Sequence, residues 1–231
     1  MLRTIRLFSL VPGPAGRRGL GLCLGDPCPG GRGWRRLSRA GLACSSGGQQ
    51  APIPSAGGIQ LPQGTSLGGP FSLTDQTGRA VTERDFAGGW MLIYFGYTYC
   101  PDVCPTELGT MAAAVDAMGA AGEKVVPALI TIDPQRDTPA QLADYVARFH
   151  PRMLGLTGTP EQVAEVARRY RVYFARVQRA EMTDYLMDHS SFIYLVGPDA
   201  RVRSLFRPEM RPEDIAAAVA AQMGGAARRN S

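Results

Sequence analysis

Two cysteines in the segment YTYCPDVCP carry the most reactive side chains of the sequence. Cys100 and Cys104 follow an apolar run and stand at the beginning of a predicted helix. The free amides and the dipole at a helix N-terminus favour the thiolate over the thiol. A thiolate pair can bind a soft metal ion or exchange with a disulfide. A structural disulfide, or two buried cysteines, would be the alternatives without such chemistry.

Histidine could complete a metal site with these sulfurs. Cys100 and Cys104 are the only cysteines outside the N-terminal segment, so a structural zinc site with three or four cysteines would need that segment. Two thiolates and one imidazole instead suit copper, which soft sulfur selects as Cu(I). His150 ends a predicted helix, and we expect it to be structural. His189 lies in a predicted loop immediately before a strand, and position alone does not decide whether it is a ligand.

A third polar feature is the segment LITIDPQRDT, in which Asp133 and Asp137 flank Arg136. It follows a predicted strand, so with parallel strands it would lie at the same sheet edge as the cysteine loop. The segment either forms a turn and a helix N-cap or provides a charged wall that docks a partner or tunes the thiols. Asp188, next to His189, either orients the imidazole or is solvated.

Strands and helices alternate after residue 70 and would position these side chains. The apolar run from Trp90 to Tyr97 predicts a strand buried on both faces. Proline in the first turn and apolar residues at helical spacing predict a helix from Cys104 to Met118. The other predicted elements are a hairpin at 71–81, helices at 137–149, 159–170 and 212–224, and strands at 124–133, 153–156, 172–177, 191–196 and 202–206. This order predicts an α/β fold with a central sheet flanked by helices on both faces.

The N-terminal segment differs in charge and composition from the rest of the chain. Residues 1–56 contain eight arginines, no lysine and one acid, whereas residues 57–231 contain 17 basic and 19 acidic side chains. The basic charge therefore belongs to a targeting leader, and the nearly neutral remainder argues against nucleic-acid binding. Of the first 70 residues, 16 are glycine and 8 are proline. We therefore expect residues 1–69 to be leader and disordered linker.

One folded domain is expected at residues 70–224, followed by a C-terminal tail at 225–231. No apolar run approaches the ~18–20 residues that cross a bilayer. Arg35 and Arg36 ahead of Cys44 faintly resemble an export signal with a lipid-attachment cysteine, although the stretch between them is short and polar. The alternatives are an ordinary cysteine in a disordered segment and a wrongly assigned start of the reading frame.

Four ordered motifs resemble the Sco (SenC) family of copper-binding, thioredoxin-fold assembly proteins: TYCPDVCP, TIDPQRDT, HPRMLGLTGTPEQV and YLMDHSSFIYLV. The resemblance covers residues 70–222 and implies a thioredoxin-like, peroxiredoxin-like fold, with a central mixed sheet and an N-terminal hairpin. It implies one copper ion per chain, Cu(I) or Cu(II), bound by Cys100, Cys104 and His189. It also implies a metallochaperone that helps to metallate the copper A centre of cytochrome c oxidase subunit II.

Three functions are compatible with these residues. A metallochaperone would pass copper on by ligand exchange. A thiol–disulfide oxidoreductase would attack with Cys100, paired with Cys104, and reduce the cysteines of the oxidase copper site. A peroxidase or redox sensor would form a sulfenic acid.

The expected partners are subunit II and either another copper chaperone or a thioredoxin-like reductant. Members of the family usually have a transmembrane anchor and face the periplasm or the intermembrane space. We therefore expect a location in the periplasm, associated with the inner membrane, although no such anchor is recognisable in the sequence.

Overall fold

The computed structural model describes residues 57–62, 65–178 and 183–229, and of residues 227–229 the backbone alone. Most of the predicted leader, including Cys44, lies outside the described residues. Among the described residues, no helix is both long and apolar enough to span a membrane.

The described residues form one mixed sheet, a separate two-stranded ribbon and four α-helices. The eight-stranded sheet has the order β1-β10-β9-β4-β5-β6-β2-β3, and the ribbon consists of β7 and β8. The helices are α1 (Val103–Ala117), α2 (Pro139–Val146), α3 (Pro160–Arg169) and α4 (Pro212–Arg229). The strands are β1 (Ile59–Gln60), β2 (Ser72–Asp75), β3 (Ala80–Thr82), β4 (Trp90–Gly96), β5 (Val125–Thr131), β6 (Leu154–Thr157), β7 (Phe174–Val177), β8 (Leu186–His189), β9 (Ile193–Val196) and β10 (Val202–Phe206).

The centre of the sheet is the parallel pair β4 and β5, whose seven residues pair in register from Trp90 with Val125 to Gly96 with Thr131. All seven residues of β4 are buried, as predicted for an apolar strand covered on both faces. On either side, β9 pairs antiparallel with β4 and β6 pairs parallel with β5. The predicted central mixed sheet is confirmed. The segments that follow β4 and β5 leave the sheet at the same edge.

Helices cover both faces of this sheet. Side chains alternate along β4, and the position of Gly96 faces α1, because a Cβ atom there would lie 2.9 Å from the Sγ of Cys104. Phe95 points to the opposite face, where its ring centroid lies 5.4 Å from that of Tyr170, just after α3. The first and last helices, α1 and α4, pack against each other.

The helices begin close to the predicted residues because their start signals are local. α1 begins at Val103, so Pro105 lies in the first turn, where a missing N–H breaks no helical hydrogen bond. α2 and α3 follow Thr138 and Thr159, and each threonine accepts a hydrogen bond from a backbone N–H in a capping box. Of the two predicted caps of α2, Asp137 and Thr138, the structure therefore uses Thr138.

Asp137 instead fastens the cysteine loop to the edge of β5. Its fully buried carboxylate accepts hydrogen bonds from the N–H of Thr98 at 3.0 Å, from the hydroxyl of Thr98 at 2.5 Å and from the hydroxyl of Thr131 at 2.6 Å. Burial raises the pKa of Asp137 despite these bonds. Thr98 precedes Cys100 by two residues, so Asp137 anchors the loop that carries the half-buried sulfur of Cys100 to β5.

The boundaries of the folded part differ from the predicted ones at both ends. Ile59–Gln60 form β1, which pairs antiparallel with β10, and Leu67 is buried. The segment predicted to be a linker therefore contains a strand, because an edge strand needs only backbone hydrogen bonds and no apolar pattern of its own. At the other end, α4 runs to Arg229 rather than to Gly224, so most of the predicted tail is helical.

The segment around His189 also differs from the prediction. His189 is the last residue of β8, which pairs antiparallel with β7, with His189 opposite Phe174. The predicted histidine loop is therefore one strand of a hairpin. The hydrogen bonds of the ribbon hold the backbone of His189 in place, and a free loop would not.

We expect Asp137→Ala to lower the free energy of unfolding by about 2–4 kcal/mol, because it leaves the donors of the half-buried Thr98 and of the buried Thr131 without an acceptor. Urea unfolding followed by circular dichroism measures this loss. Asp144→Ala, which removes an exposed carboxylate from α2, is the matched control and should change stability by less than about 0.5 kcal/mol. An equal, small effect of both substitutions would contradict the anchoring role of Asp137.

Candidate metal centre

Cys100 lies in the loop between β4 and α1, half-buried at the mouth of the site. Its Sγ accepts a hydrogen bond from the backbone N–H of Cys104 at 3.4 Å. Hydrogen bonds from the Cys104 thiol and from the backbone amides of Asp102 and Cys104 hold the pKa of Cys100 far below its ordinary value. Cys100 is therefore a thiolate at neutral pH, as expected for a sulfur at a helix N-terminus.

Cys104 is fully buried in the first turn of α1. The thiolate of Cys100 and burial raise the pKa of Cys104, so this sulfur keeps its proton when Cys100 has lost its own. Gly96 lies directly beneath it, since a Cβ atom at that position would lie 2.9 Å both from Sγ and from the ring of Tyr94. The sulfur is therefore seated on the backbone of β4, in a space that only glycine leaves free. Neither of the two cysteines is joined in a disulfide.

The imidazole of His189 faces the buried sulfur. Its Nε2 lies 3.5 Å from the Sγ of Cys104, and its Nδ1 lies 3.0 Å from the carbonyl oxygen of Ser190. A carbonyl oxygen only accepts hydrogen bonds, so in the neutral ring Nδ1 carries the proton and Nε2 presents its lone pair to the sulfur. This tautomer is the one that a metal ion at Nε2 requires.

Two tyrosine rings hold the imidazole edge-on. The ring centroids of Tyr94 and Tyr97 lie 5.9 and 6.1 Å from that of His189, at interplanar angles of 78° and 86°. The hydroxyl of Tyr97 also accepts a hydrogen bond from the N–H of Met187 at 3.2 Å, which joins the end of β4 to the hairpin. The ring of His189 is therefore oriented by aromatic packing on one side and by a backbone carbonyl on the other.

The donor set matches a metal ion that binds sulfur and nitrogen. With bonds of about 2.3 Å to sulfur and about 2.0 Å to imidazole nitrogen, two ligands at a tetrahedral angle lie about 3.5 Å apart. The distance of 3.5 Å between Cys104 Sγ and His189 Nε2 agrees with this separation. Within the described part of the chain, no group of three or more His, Cys, Asp and Glu side chains is arranged as a site that could hold a metal ion. Among the three predicted ligands, Cys104 contacts both of the others: its N–H donates to the Sγ of Cys100, and its Sγ faces the Nε2 of His189.

The structure thus brings together the three predicted ligands, Cys100, Cys104 and His189, although 85 residues separate the last two. Asp188 does not orient the imidazole, because its side chain is exposed and lies on the opposite face of β8 from that of His189. The carbonyl oxygen of Ser190 contacts the imidazole instead. His150 lies elsewhere, buried between α1 and α2, with Nε2 3.4 Å from the carboxylate of Asp116.

Sequence reasoning missed the groups that support the three side chains. Gly96 and Tyr94 lie on one face of β4 because they are two residues apart, and this alternation is visible in WMLIYFGY once α1 is placed over that face. No comparable signal in the sequence indicates Ser190, because its backbone carbonyl, and not its side chain, contacts the imidazole of His189.

A mixed sheet that presents a cysteine pair at the start of the helix after its central strand defines the class: this is a thioredoxin-like protein. The profile of the family described as SCO1/SenC matches residues 59–224. The chain therefore belongs to the SCO1/SenC family, and the resemblance found in the sequence is confirmed.

Several relatives support this assignment. The human "Protein SCO1 homolog, mitochondrial" is 47% identical over 159 residues, which are 68% of this chain and 53% of the relative. The Arabidopsis thaliana "Protein SCO1 homolog 1, mitochondrial" is 49% identical over 135 residues, which are 58% of this chain and 40% of the relative. This chain thus spans about half the length of the curated relatives that it matches.

Solved structures show the same fold. The crystal structure of Arabidopsis thaliana ScoI with copper bound is 41% identical, has a TM-score of 0.65 and is matched over 69% of this chain and 99% of that chain. BsSco, described as a member of the Sco family of cytochrome c oxidase assembly proteins with a disulfide switch, is 26% identical, with a TM-score of 0.56, over 70% of this chain and 96% of that chain.

We expect Cys100 of the reduced protein to react with iodoacetamide much faster than Cys104, because it is both a thiolate and accessible. Its rate should stay nearly constant from pH 8 to pH 6, whereas an ordinary thiol loses about tenfold per pH unit below its pKa. Mass spectrometry of peptides from a time course measures both rates. Equal labelling of the two cysteines, or a tenfold loss per unit for Cys100, would contradict the assigned protonation.

Proposed function

We propose that this protein is a copper metallochaperone that binds one copper ion through Cys100, Cys104 and His189. The observation that carries the proposal is the convergence of two sulfurs and the Nε2 atom of His189 at the N-terminus of α1. Soft thiolates select Cu(I), and the added imidazole helps to hold Cu(II). Homologous structures described as having copper bound support the choice of metal.

The destination that we propose for the copper is the copper A centre of cytochrome c oxidase subunit II. The description of BsSco as a cytochrome c oxidase assembly protein supports this class of partner. Transfer by ligand exchange suits the geometry, because Cys100 lies at the solvent side and a thiolate of the partner can replace it first. Cys104 and His189 would retain the ion until a second partner ligand arrives.

We also propose that the protein works in the periplasm, in association with the inner membrane, and receives copper there from another copper chaperone. The arginine-rich composition of residues 1–56 supports a targeting leader. The matched human and Arabidopsis relatives are mitochondrial proteins, and the intermembrane space is the compartment that corresponds to the periplasm.

Metal analysis of the anaerobically reduced full-length chain tests the metallochaperone. The leader cysteines Cys23, Cys28 and Cys44 are replaced by serine in every sample, and this background should still hold one copper per chain. Adding Cys100→Ala, Cys104→Ala or His189→Ala should each weaken binding by orders of magnitude, because each removes one ligand. His150→Gln is the control histidine and should leave binding unchanged. Stoichiometric copper in the double cysteine variant would refute the proposal.

A second function is favoured by the asymmetry of the two sulfurs. Cys100 is an accessible thiolate and Cys104 a buried thiol, which is the arrangement of an attacking and a resolving cysteine. The Cys100 thiolate would attack a disulfide of the oxidase copper site and form a mixed disulfide. Cys104 would then displace the partner as a dithiol, leaving a Cys100–Cys104 disulfide that a thioredoxin-like reductant returns to two thiols. The disulfide switch described for BsSco supports this alternative.

His189 distinguishes the two functions. If the protein is a reductase, the reduced His189→Ala variant should reduce a subunit II peptide disulfide, without copper, about as fast as the parent protein. Cys100→Ala should abolish the reaction, because it removes the attacking sulfur. Thiol quantification of the peptide after acid quenching measures the rate. No reduction of the peptide by the parent protein would exclude this second function.

A further inference from the structure

Arg136, in the loop between β5 and α2, contacts Tyr185, which directly precedes β8, the strand that ends at His189. Its side chain is 15% exposed and forms a salt bridge with the buried carboxylate of Asp133. Its Nη1 donates a hydrogen bond to the carbonyl oxygen of Tyr185 at 3.0 Å, and its guanidinium carbon lies 3.7 Å from the centroid of the Tyr185 ring. The hydroxyl of Tyr185 donates to Asp133 at 2.8 Å. Tyr185 is thus held through both its backbone and its side chain, four residues before His189.

The same guanidinium also contacts the segment that leads into the cysteine loop. Its central carbon lies 4.7 Å from the ring centroid of Tyr99 and 5.8 Å from that of Tyr97, both within the range of cation–π attraction. Tyr99 directly precedes Cys100, and the ring of Tyr97 packs against His189. The guanidinium therefore contacts three segments that are far apart in the sequence: the loop after β5, the residues just before Cys100 and the residue just before β8.

We propose that Arg136 is a positioning residue that holds the hairpin of β7 and β8 against the cysteine loop, so that Nε2 of His189 faces Cys104. This role rests on the proposed copper site, but the contacts that carry it are independent of any metal. The backbone of Asp133 to Asp137 is a closed turn, with the N–H groups of Arg136 and Asp137 donating to the carbonyl of Asp133. These hydrogen bonds therefore fix the backbone from which the Arg136 side chain extends.

The contacts of residue 136 with Tyr185 require an arginine, and a lysine at this position would not make all of them. A guanidinium stacks on an aromatic ring with its plane and donates hydrogen bonds from its rim at the same time, which an ammonium group does not do. Arg176 provides an internal comparison, since it also lies 3.7 Å from the Tyr185 ring but donates its hydrogen bond to Gln135, and neither a hydrogen bond nor a cation–π contact joins it to the described cysteine loop. Loss of Arg176 should therefore leave the attachment between hairpin and cysteine loop intact.

Copper affinity measured by competition with a chromophoric Cu(I) chelator gives the first test. Arg136→Ala should weaken binding about 10–100-fold, the loss typical of residues that orient a metal ligand. Arg136→Lys should weaken it similarly, and Arg176→Ala should weaken it by less than about threefold. In a His189→Ala background, Arg136→Ala should have less than a twofold effect, because a residue that acts through His189 has nothing left to orient. Equal losses in both backgrounds, or full rescue by lysine, would overturn the proposal.

A second measurement needs no metal and separates this proposal from the copper site itself. In the reduced apoprotein, nuclear Overhauser effects between the ring protons of His189 and the β protons of Cys104 should be present. They should disappear in Arg136→Ala and persist in Arg176→Ala, with the amide signals of the central sheet unchanged in both. Persistence in Arg136→Ala would overturn the positioning role. A parent protein that shows these effects but binds no copper would refute the proposed function and leave the role of Arg136 standing.

Discussion

Seven in-register pairs join β4 to β5 in parallel, and this pairing determines where the reactive groups can meet. Because both strands end at the same edge of the sheet, the cysteine loop and the loop after β5 emerge side by side. Asp137 then bonds across the gap to Thr98. The seat of Cys104 on Gly96, the tyrosine rings and the histidine hairpin are all arranged around these two strand ends. An antiparallel pairing would have sent the two loops to opposite ends of the domain.

The two sulfurs are chemically unequal although four residues separate them. One is half-buried and ionised, and the other is fully buried and protonated. This inequality serves both functions that we propose, since a metal ion and a disulfide each need one accessible and one retained sulfur. The two functions differ in their need for the imidazole of His189: a metal site uses the lone pair of this ring, whereas disulfide exchange between the cysteines does not require the ring. The same fold therefore supports two activities whose difference lies in a side chain outside the cysteine motif.

The elements with local signals were predictable, and those built by distant contacts were not. β4 follows from its apolar run, and α2 and α3 follow from threonine and proline at their first residues. Of the hairpin, β7 was predicted, whereas β8 has no such signal, because it exists through pairing of His189 with Phe174, 15 positions earlier, and through the contacts of Arg136 to Tyr185. Asp137 likewise acts on Thr98, 39 positions away. The convergence of His189 with the cysteines was anticipated through the family resemblance, because a separation of 85 residues carries no geometric information of its own.

Gly96 has a consequence for how cargo would travel. The main chain of Gly96 lies directly beneath the Sγ of Cys104, and the buried strands of the sheet lie below it. The sulfur is therefore closed off on the side of the sheet. A ligand of this sulfur in the proposed site would therefore approach from the side on which Cys100 lies half-buried, and not through the sheet.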